Sequence, residues 1–274
     1  MFTDMEPVTR FRTSGFLSDE ARNARPAVRA QHSTWFDFCD GLNETGHRVL
    51  YSTKLDPSDN PALMLSILLG RLLSNFQGAV ILVERLMDVE AKILARAALE
   101  TTFVIRAVLN DPNVTTDLVE AEHKNRRVMR EALLRTPDIK DEDRARLLKA
   151  LEEGPKGKRI NIEELARKAD LHRTYELFYR SLSQVSHLTL GALEQYAQAG
   201  DDGEIRSLHY GPSENPSIVA DILVPASFSM LIGLDGVLAG LKMSEFDSQL
   251  QELKAKYHEL VPGERGEAEG TVSD

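Results

Sequence analysis

The apolar positions of this chain gather into long stretches with helical spacing, and two stretches, 61–83 and 218–241, are apolar on nearly every side. The first opens at Asp59-Asn60-Pro61, with proline near the first helical position, where its missing N–H is harmless. A second core helix is predicted over 89–109 from Ile93, Leu94, Ala97, Ala98, Leu99, Phe103, Val104, Ile105 and Val108, and it stops at Asn110-Asp111-Pro112. Only Leu86-Met87-Asp88 separates the two helices, and so short a connection makes them antiparallel neighbours.

Around this hairpin the pattern predicts further helices. One begins at Ser18, a capping residue followed by acidic Asp19 and Glu20, and runs to about Gly46, with Pro26 interrupting or kinking it. Residues 54–60 form a turn cluster. Residues 115–135 read as a helix so charged that most of its surface must be solvated. A short charged helix over 141–153 precedes a flexible basic loop, Gly-Pro-Lys-Gly-Lys-Arg at 154–159, and another short helix starts at Asn161. A helix over 171–186 continues or restarts through 190–199. A turn at 200–203 leads to 204–210, the one segment that reads as a strand. Helices over 217–241 and 244–260 close the pattern. The fold expected is all-α, a helical bundle built around a long αα-hairpin with at most one short β element. Residues 1–16 are expected to be a flexible N-terminus, 17–261 a single helical domain and 262–274 a disordered tail rich in Gly and Glu.

Composition narrows the function classes. Of 274 residues, 42% are hydrophobic and 28% charged, the balance of a globular chain. A net charge of −10 argues against a dedicated DNA-binding protein, yet leaves room for a local basic pocket that holds RNA or a small anionic ligand. Cys39 is the single cysteine, so neither an internal disulfide nor a cysteine zinc site can form, and a reducing cytoplasm is the expected location. The N-terminal residues lack the apolar core of a signal peptide. Arg71 within 61–83 and Asp221 and Asp235 within 218–241 would be costly in lipid, so both stretches are expected to be buried core helices and no membrane partner is expected.

Three groups of polar residues interrupt these apolar patterns. Arg96 and Glu100 stand four apart on one face of the second core helix. They are either an ion pair that fixes helix register or part of a polar site inside the bundle. Arg71 and Asn75 interrupt the first core helix in the same way, and antiparallel pairing about residue 87 can bring them to Arg96 and Glu100 as a ligand-binding set. Farther on, Arg180 and His187 lie seven apart with Ser183 and Gln184 beside them, opposite the apolar stripe of Tyr175, Phe178, Leu182 and Val185. Glu176, one turn before Arg180, can simply pair with it, leaving a wet surface.

The runs Arg71-Leu-Leu-Ser-Asn-Phe-Gln, Ala95-Arg96-Ala-Ala-Leu-Glu100 and Tyr179-Arg-Ser-Leu-Ser-Gln-Val-Ser-His187 resemble the bacterial family catalogued as domain of unknown function 5677, over about 60–200. Ala97 and Ala98 depart from the middle of that family's first motif and leave its charged pair intact. The resemblance implies helices and no established activity. The Arg180-x6-His187 spacing also resembles the signature of HEPN ribonucleases, although Ser181 stands where those enzymes usually carry Asn and Arg25-x6-His32 has the same spacing. That second resemblance implies metal-independent RNA cleavage in a stress or defence system, in a cleft made by a homodimer. His187 would be the acid/base, Arg180 the phosphate stabiliser and Glu100 a further catalytic group. Leu253, Tyr257 and Leu260 on the last helix can supply a dimer surface.

The remaining chemistry is a metal alternative. Glu44-x-x-His47 and Glu120-x-x-His123, with Glu84 and Glu100, fit the ligand set of a carboxylate-bridged helical bundle. Nucleotide loops, dinucleotide fingerprints, serine-hydrolase elbows and zinc-protease motifs do not occur, and no cofactor is expected. The leading expectation is a ligand- or partner-binding regulatory module using Arg71, Asn75, Arg96 and Ser183, with the ribonuclease as its alternative.

Overall fold

The structure is a computed structural model that describes residues 10–54, 59–185, 193, 196–199, 204–208, 210–213 and 215–261. Its helices in chain order are α1 (Arg10–Ser14), α2 (Asp19–Gln31), α3 (Ser33–Ser52), α4 (Asn60–Val83), α5 (Asp88–Asn110), α6 (Asn113–Leu133), α7 (Asp141–Glu153), α8 (Ile162–Lys168), α9 (172–184), α10 (Ile218–Leu241) and α11 (Asp247–Leu260). The fold is an all-α bundle. Its centre is the trio α4, α5 and α10; α3 covers α4 and α10, α11 packs on α3 and α10, and α8 and α9 lie against α5.

The caps explain where the helices begin. Ser18 Oγ accepts from the Ala21 N–H, Asp59 Oδ1 from Ala62 and Asn161 Oδ1 from Glu163, each meeting a backbone donor that the first turn leaves free. The α4–α5 connection ends α4 with Leu86 in the left-handed region at φ 57°, and the Met87 N–H reaches back to the Leu82 carbonyl at 3.0 Å. Phe76, Leu69, Leu72, Leu99, Phe103, Ile105, Ile222 and Met230 are fully enclosed between the central helices. Both α4 and α10 are long and apolar enough to cross a membrane by length and composition, and here they pack against each other and α5.

Three expectations need correction. Helix α2 runs through Pro26, because that residue faces solvent and the carbonyl it leaves unbonded can be hydrated; the break falls instead at His32. Helix α3 continues past Gly46 to Ser52: the glycine sits where a Cβ would collide with Met230 and Leu73, so it serves close packing and ends nothing. The strand foreseen near 204–210 exists as β2 (Ile205–Leu208), and it pairs antiparallel with β1 (Ala197–Ala199) in a stretch expected to be helical. An isolated strand has no partner for its backbone, so the one β element is a pair. Residues 55–58 of the turn cluster expected over 54–60, the turn at 200–203, the first nine residues and the tail 262–274 lie outside the described residues.

Glu84 is buried at the C-terminal end of α4, where the helix dipole disfavours a negative charge. Two arginines of α2 compensate: Arg25 Nε lies 2.5 Å from its carboxylate and Arg29 contacts the same group while also reaching Asp40 on α3. This cluster ties the N-terminal helices to the central hairpin. Removing the carboxylate leaves two cations facing a buried, dipole-negative helix end with one partner fewer. Glu84→Ala is therefore expected to lower the free energy of unfolding by about 2 kcal/mol, read by urea denaturation, since the arginines remain partly hydrated. Cys39 is buried beside Ser227, and burial pushes its thiol up to about 12. It should stay unreactive toward a thiol reagent such as Ellman's at neutral pH and react in step with unfolding when urea is added.

Candidate functional site

Helix α5 is flanked by α4 and α10, where its Arg106 pairs with Asp235 at 3.0 Å, and it presents a further sector to α6, α8 and α9. Arg96 and Glu100 lie on that sector. They pair at 3.0 Å, each with roughly a quarter of its side chain exposed. The Tyr179 hydroxyl of α9 joins them: it accepts from Arg96 Nη2 at 2.8 Å and donates to Glu100 Oε1 at 2.9 Å. The Arg96 guanidinium also lies over the Tyr179 ring, 5.0 Å from its centroid. Burial pushes the Tyr179 phenol above its ordinary value; Glu100 pushes the same way and Arg96 opposes both. The phenol therefore stays protonated and keeps donating to the carboxylate at neutral pH. Arg96 Nε is buried with no acceptor among the described residues.

Tyr179 reaches this place through an irregular helix. Helix α9 starts as an α-turn (His172–Thr174), widens into a π-turn over Tyr175–Tyr179 and resumes as α at Arg180–Gln184. The Arg180 N–H bonds the Tyr175 carbonyl five residues back, and the extra residue rotates every side chain that follows. Tyr175 and Tyr179 stack with centroids 4.9 Å apart, both against Phe103 of α5.

Beside the triad opens a cleft of about 610 Å³ among α4, α5, α6, α8 and the loop before α8. Leu68, Val104, Leu118, Ile160, Ile162 and Leu165 make its apolar lining; Arg71, Glu100, Thr101, Glu122, Asn125 and Arg159 supply its polar groups. Glu100 is engaged by Arg96 and Tyr179, and Glu122 by Arg126 at 2.5 Å. Arg71 and Arg159 are exposed and have no ion-pair or hydrogen-bond partner among the described residues.

The loop that carries Arg159 is pinned. Gly157, at φ +66°, passes so close over the α6 backbone at Glu120 and Lys124 that a Cβ would strike main-chain atoms. Lys158 Nζ lies 2.5 Å from Asp117, and Lys168 of α8 lies 3.1 Å from Asp111 and 3.3 Å from Asp117. Lys158 first, and Lys168 after it, hold the Asp117 carboxyl below its ordinary value, and Lys168 does the same to Asp111.

The expected set of Arg71, Asn75, Arg96 and Glu100 thus assembles in two halves that meet at Glu100. Arg71 shares the cleft with Glu100, while Arg96 points to Tyr179. Asn75 donates weakly to Thr101 Oγ1 at 3.4 Å, one residue along from Glu100. Ser183 spends its hydroxyl on the Tyr179 carbonyl at 2.7 Å, a bond within its own helix. Arg180 pairs with Glu176 at 3.0 Å, the alternative its spacing allowed, and more than half of its side chain is exposed. His187 lies outside the described residues.

The metal alternative does not assemble. Glu84 is held by Arg25 and Arg29, His47 bonds Gln77 at 2.7 Å, and Glu120 lies 3.9 Å from Lys158. Among the described residues, no cluster of three possible ligands includes any of them. Sequence reasoning missed Tyr179, Asn125 and Arg159 as site residues. The basic Gly-Pro-Lys-Gly-Lys-Arg loop signalled Arg159, while Asn125 was hidden on a helix whose charge reads as solvated.

Comparison with known proteins finds no curated protein and no solved structure that matches this chain. The Family of unknown function (DUF5677) matches residues 62–205, more than half of the 274, from the first turn of α4 to the start of β2. That span holds every residue of the cleft and of the Arg96–Glu100–Tyr179 triad, and the chain belongs to this family.

Proposed function

We propose that the chain is a binding module whose cleft among α4, α5, α6 and α8 takes a small organic anion. One observation carries this reading: two guanidinium groups, Arg71 and Arg159, line one cleft without a carboxylate partner among the described residues, in a chain with ten more acidic than basic side chains. With 43 acidic residues available to 33 basic ones, two cations left unpaired in the lining of one cavity are available to an incoming acceptor. The apolar lining suits the hydrocarbon or ring portion of the ligand, and Asn125 and Thr101 offer neutral hydrogen bonds for orientation. Glu100, already satisfied by Arg96 and Tyr179, is kept from pairing with Arg71.

The ribonuclease reading draws less support from the described residues, since Arg180 is occupied by Glu176 and stands away from this cleft's lining. A role in regulation would follow from the identity of the anion.

Titration of the purified chain with a panel of nucleoside monophosphates, acyl carboxylates and inorganic phosphate, read by calorimetry, tests the proposal. At least one organic anion is expected to bind, and Arg71→Ala and Arg159→Ala should each weaken it about tenfold or more, the value of a charge-assisted hydrogen bond. Affinity unchanged in the double variant, or no heat from any anion at millimolar concentration, overturns it. Gly157→Ala should also weaken binding by lifting the loop from α6, with wild-type helicity retained by circular dichroism, because the loop lies outside the core.

A further inference from the structure

On the far side of α8 from the cleft, three side chains from two helices converge. The turn between α8 and α9 brings them together. Asp170 adopts the left-handed conformation at φ 58°, and the Leu171 N–H bonds back to the Ala166 carbonyl at 2.8 Å, so α9 doubles back along α8. Asn110 of α5 steadies the turn through the Lys168 carbonyl at 2.9 Å and the Asp170 carboxylate at 3.2 Å. Glu163, in the first turn of α8, is thereby set beside His172 and Glu176 of α9.

From the geometry of this group we infer that Glu163, His172 and Glu176 form a binding site for a first-row divalent transition-metal ion, of which Zn2+ is the best match. The His172 Nε2 atom lies 3.4 Å from Glu163 Oε1 and 3.6 Å from Glu176 Oε1, and the three ligand atoms lie within 4.8 Å of one another. Those separations are long for hydrogen bonds, which centre near about 2.9 Å. The two distances from His172 match the edges of a tetrahedron around zinc, because two ligands at about 2.0–2.1 Å from a shared ion stand about 3.4 Å apart. A single imidazole N–H cannot point at both carboxylates, whereas a metal can be shared by all three groups.

The surroundings fit the same use. One imidazole nitrogen and two carboxylates are a borderline donor set that favours zinc over magnesium or calcium, which take oxygen ligands alone. Tyr175 stacks on His172 with centroids 6.1 Å apart and an interplanar angle of 15°, fixing the ring plane. Arg180 takes Glu176 Oε2 and leaves Oε1 toward the imidazole, whereas Arg167 bonds Glu163 Oε1, the oxygen that also faces His172, at 2.6 Å, so an incoming ion has to share or displace that contact. Each ligand is about one-third exposed, enough for an ion to enter and for water to complete the shell. This site is independent of the anion cleft and stands whether or not that proposal does.

The test uses the full chain stripped with a chelator and then dialysed free of it. Zn2+ should raise the melting temperature and bind with a stoichiometry of one, and Mg2+ should do neither. Co2+ in place of Zn2+ should give visible absorption of the intensity typical of a tetrahedral site. His172→Ala should abolish the Co2+ band, and Glu163→Gln and Glu176→Gln should each weaken Zn2+ binding about tenfold or more. All three ligands are partly solvated, so these variants should fold, which circular dichroism checks. A Zn2+ affinity in His172→Ala equal to that of the wild type, or no Co2+ band in the unsubstituted chain, overturns the inference. Arg71→Ala, which disables the anion cleft, should leave the Co2+ spectrum unchanged.

Discussion

The confinement of α5 decides what this molecule can offer. With α4 along one side and α10 along another, its residues Ala91, Ala95, Ala98, Thr102 and Ile105 are sealed, and small side chains at several of these positions let the neighbouring backbones approach closely. Even the polar Thr102 is satisfied inside, its one O–H shared between the Ala98 and Ser229 carbonyls. A charged residue on α5 can turn to a partner on α10, as Arg106 does to Asp235 at 3.0 Å, or to the sector facing α6, α8 and α9. Arg96 and Glu100 take the second course, and α6, α8 and α9 are arranged around what they present.

Two kinds of force build that arrangement, with unequal strengths. Burial of the central trio supplies most of the stability, at about 25 cal/mol per Å² of apolar surface removed from water. The outer wall depends on weaker devices: the lysine–aspartate contacts at Asp111 and Asp117, a glycine at 157, and a left-handed Asp170. Exposed ion pairs contribute about 0–1 kcal/mol each, so no one of them holds the wall in place. Shared partners give them more than isolated pairs would have. Lys168 joins two aspartates, Asp117 joins two lysines, and the loop, α8 and α6 are coupled through that chain of contacts. A wall made this way can adjust around a ligand while the core stays fixed.

The sequence pattern revealed the core more readily than the site, for a physical reason. Long apolar runs with caps and a short connection leave one solution, and α4, α5 and α10 fall close to where periodicity sets them. The pair Arg96–Glu100 was equally legible, because a charge within an apolar helix has to be answered by something. The answer itself was not: Tyr179 stands four residues after Tyr175, so a helical reading leaves it beside the apolar stripe of its own helix and gives no sign that its hydroxyl reaches a second helix, and a π-turn leaves no simple mark in the order of polar and apolar residues. Arg159 and Asn125 were hidden differently. They sit on a basic loop and a charged helix, where polar residues need no explanation until a cavity is found beneath them.

That difference bears on how chemistry is distributed over the fold. Glu84 is the most enclosed carboxylate among the described residues, and it is matched by two arginines and serves attachment. Arg96 and Glu100 are intermediate, matched to each other and to a phenol. Arg71 and Arg159 are exposed and have no match among the described residues. Desolvating an unpaired ion costs several kcal/mol, so a cation kept for a ligand has to stay hydrated until the ligand arrives. Unpaired guanidinium groups therefore belong at the rim of a cleft, with the satisfied Arg96–Glu100–Tyr179 triad beside it. The order from buried and matched to hydrated and free is the order from scaffold to site.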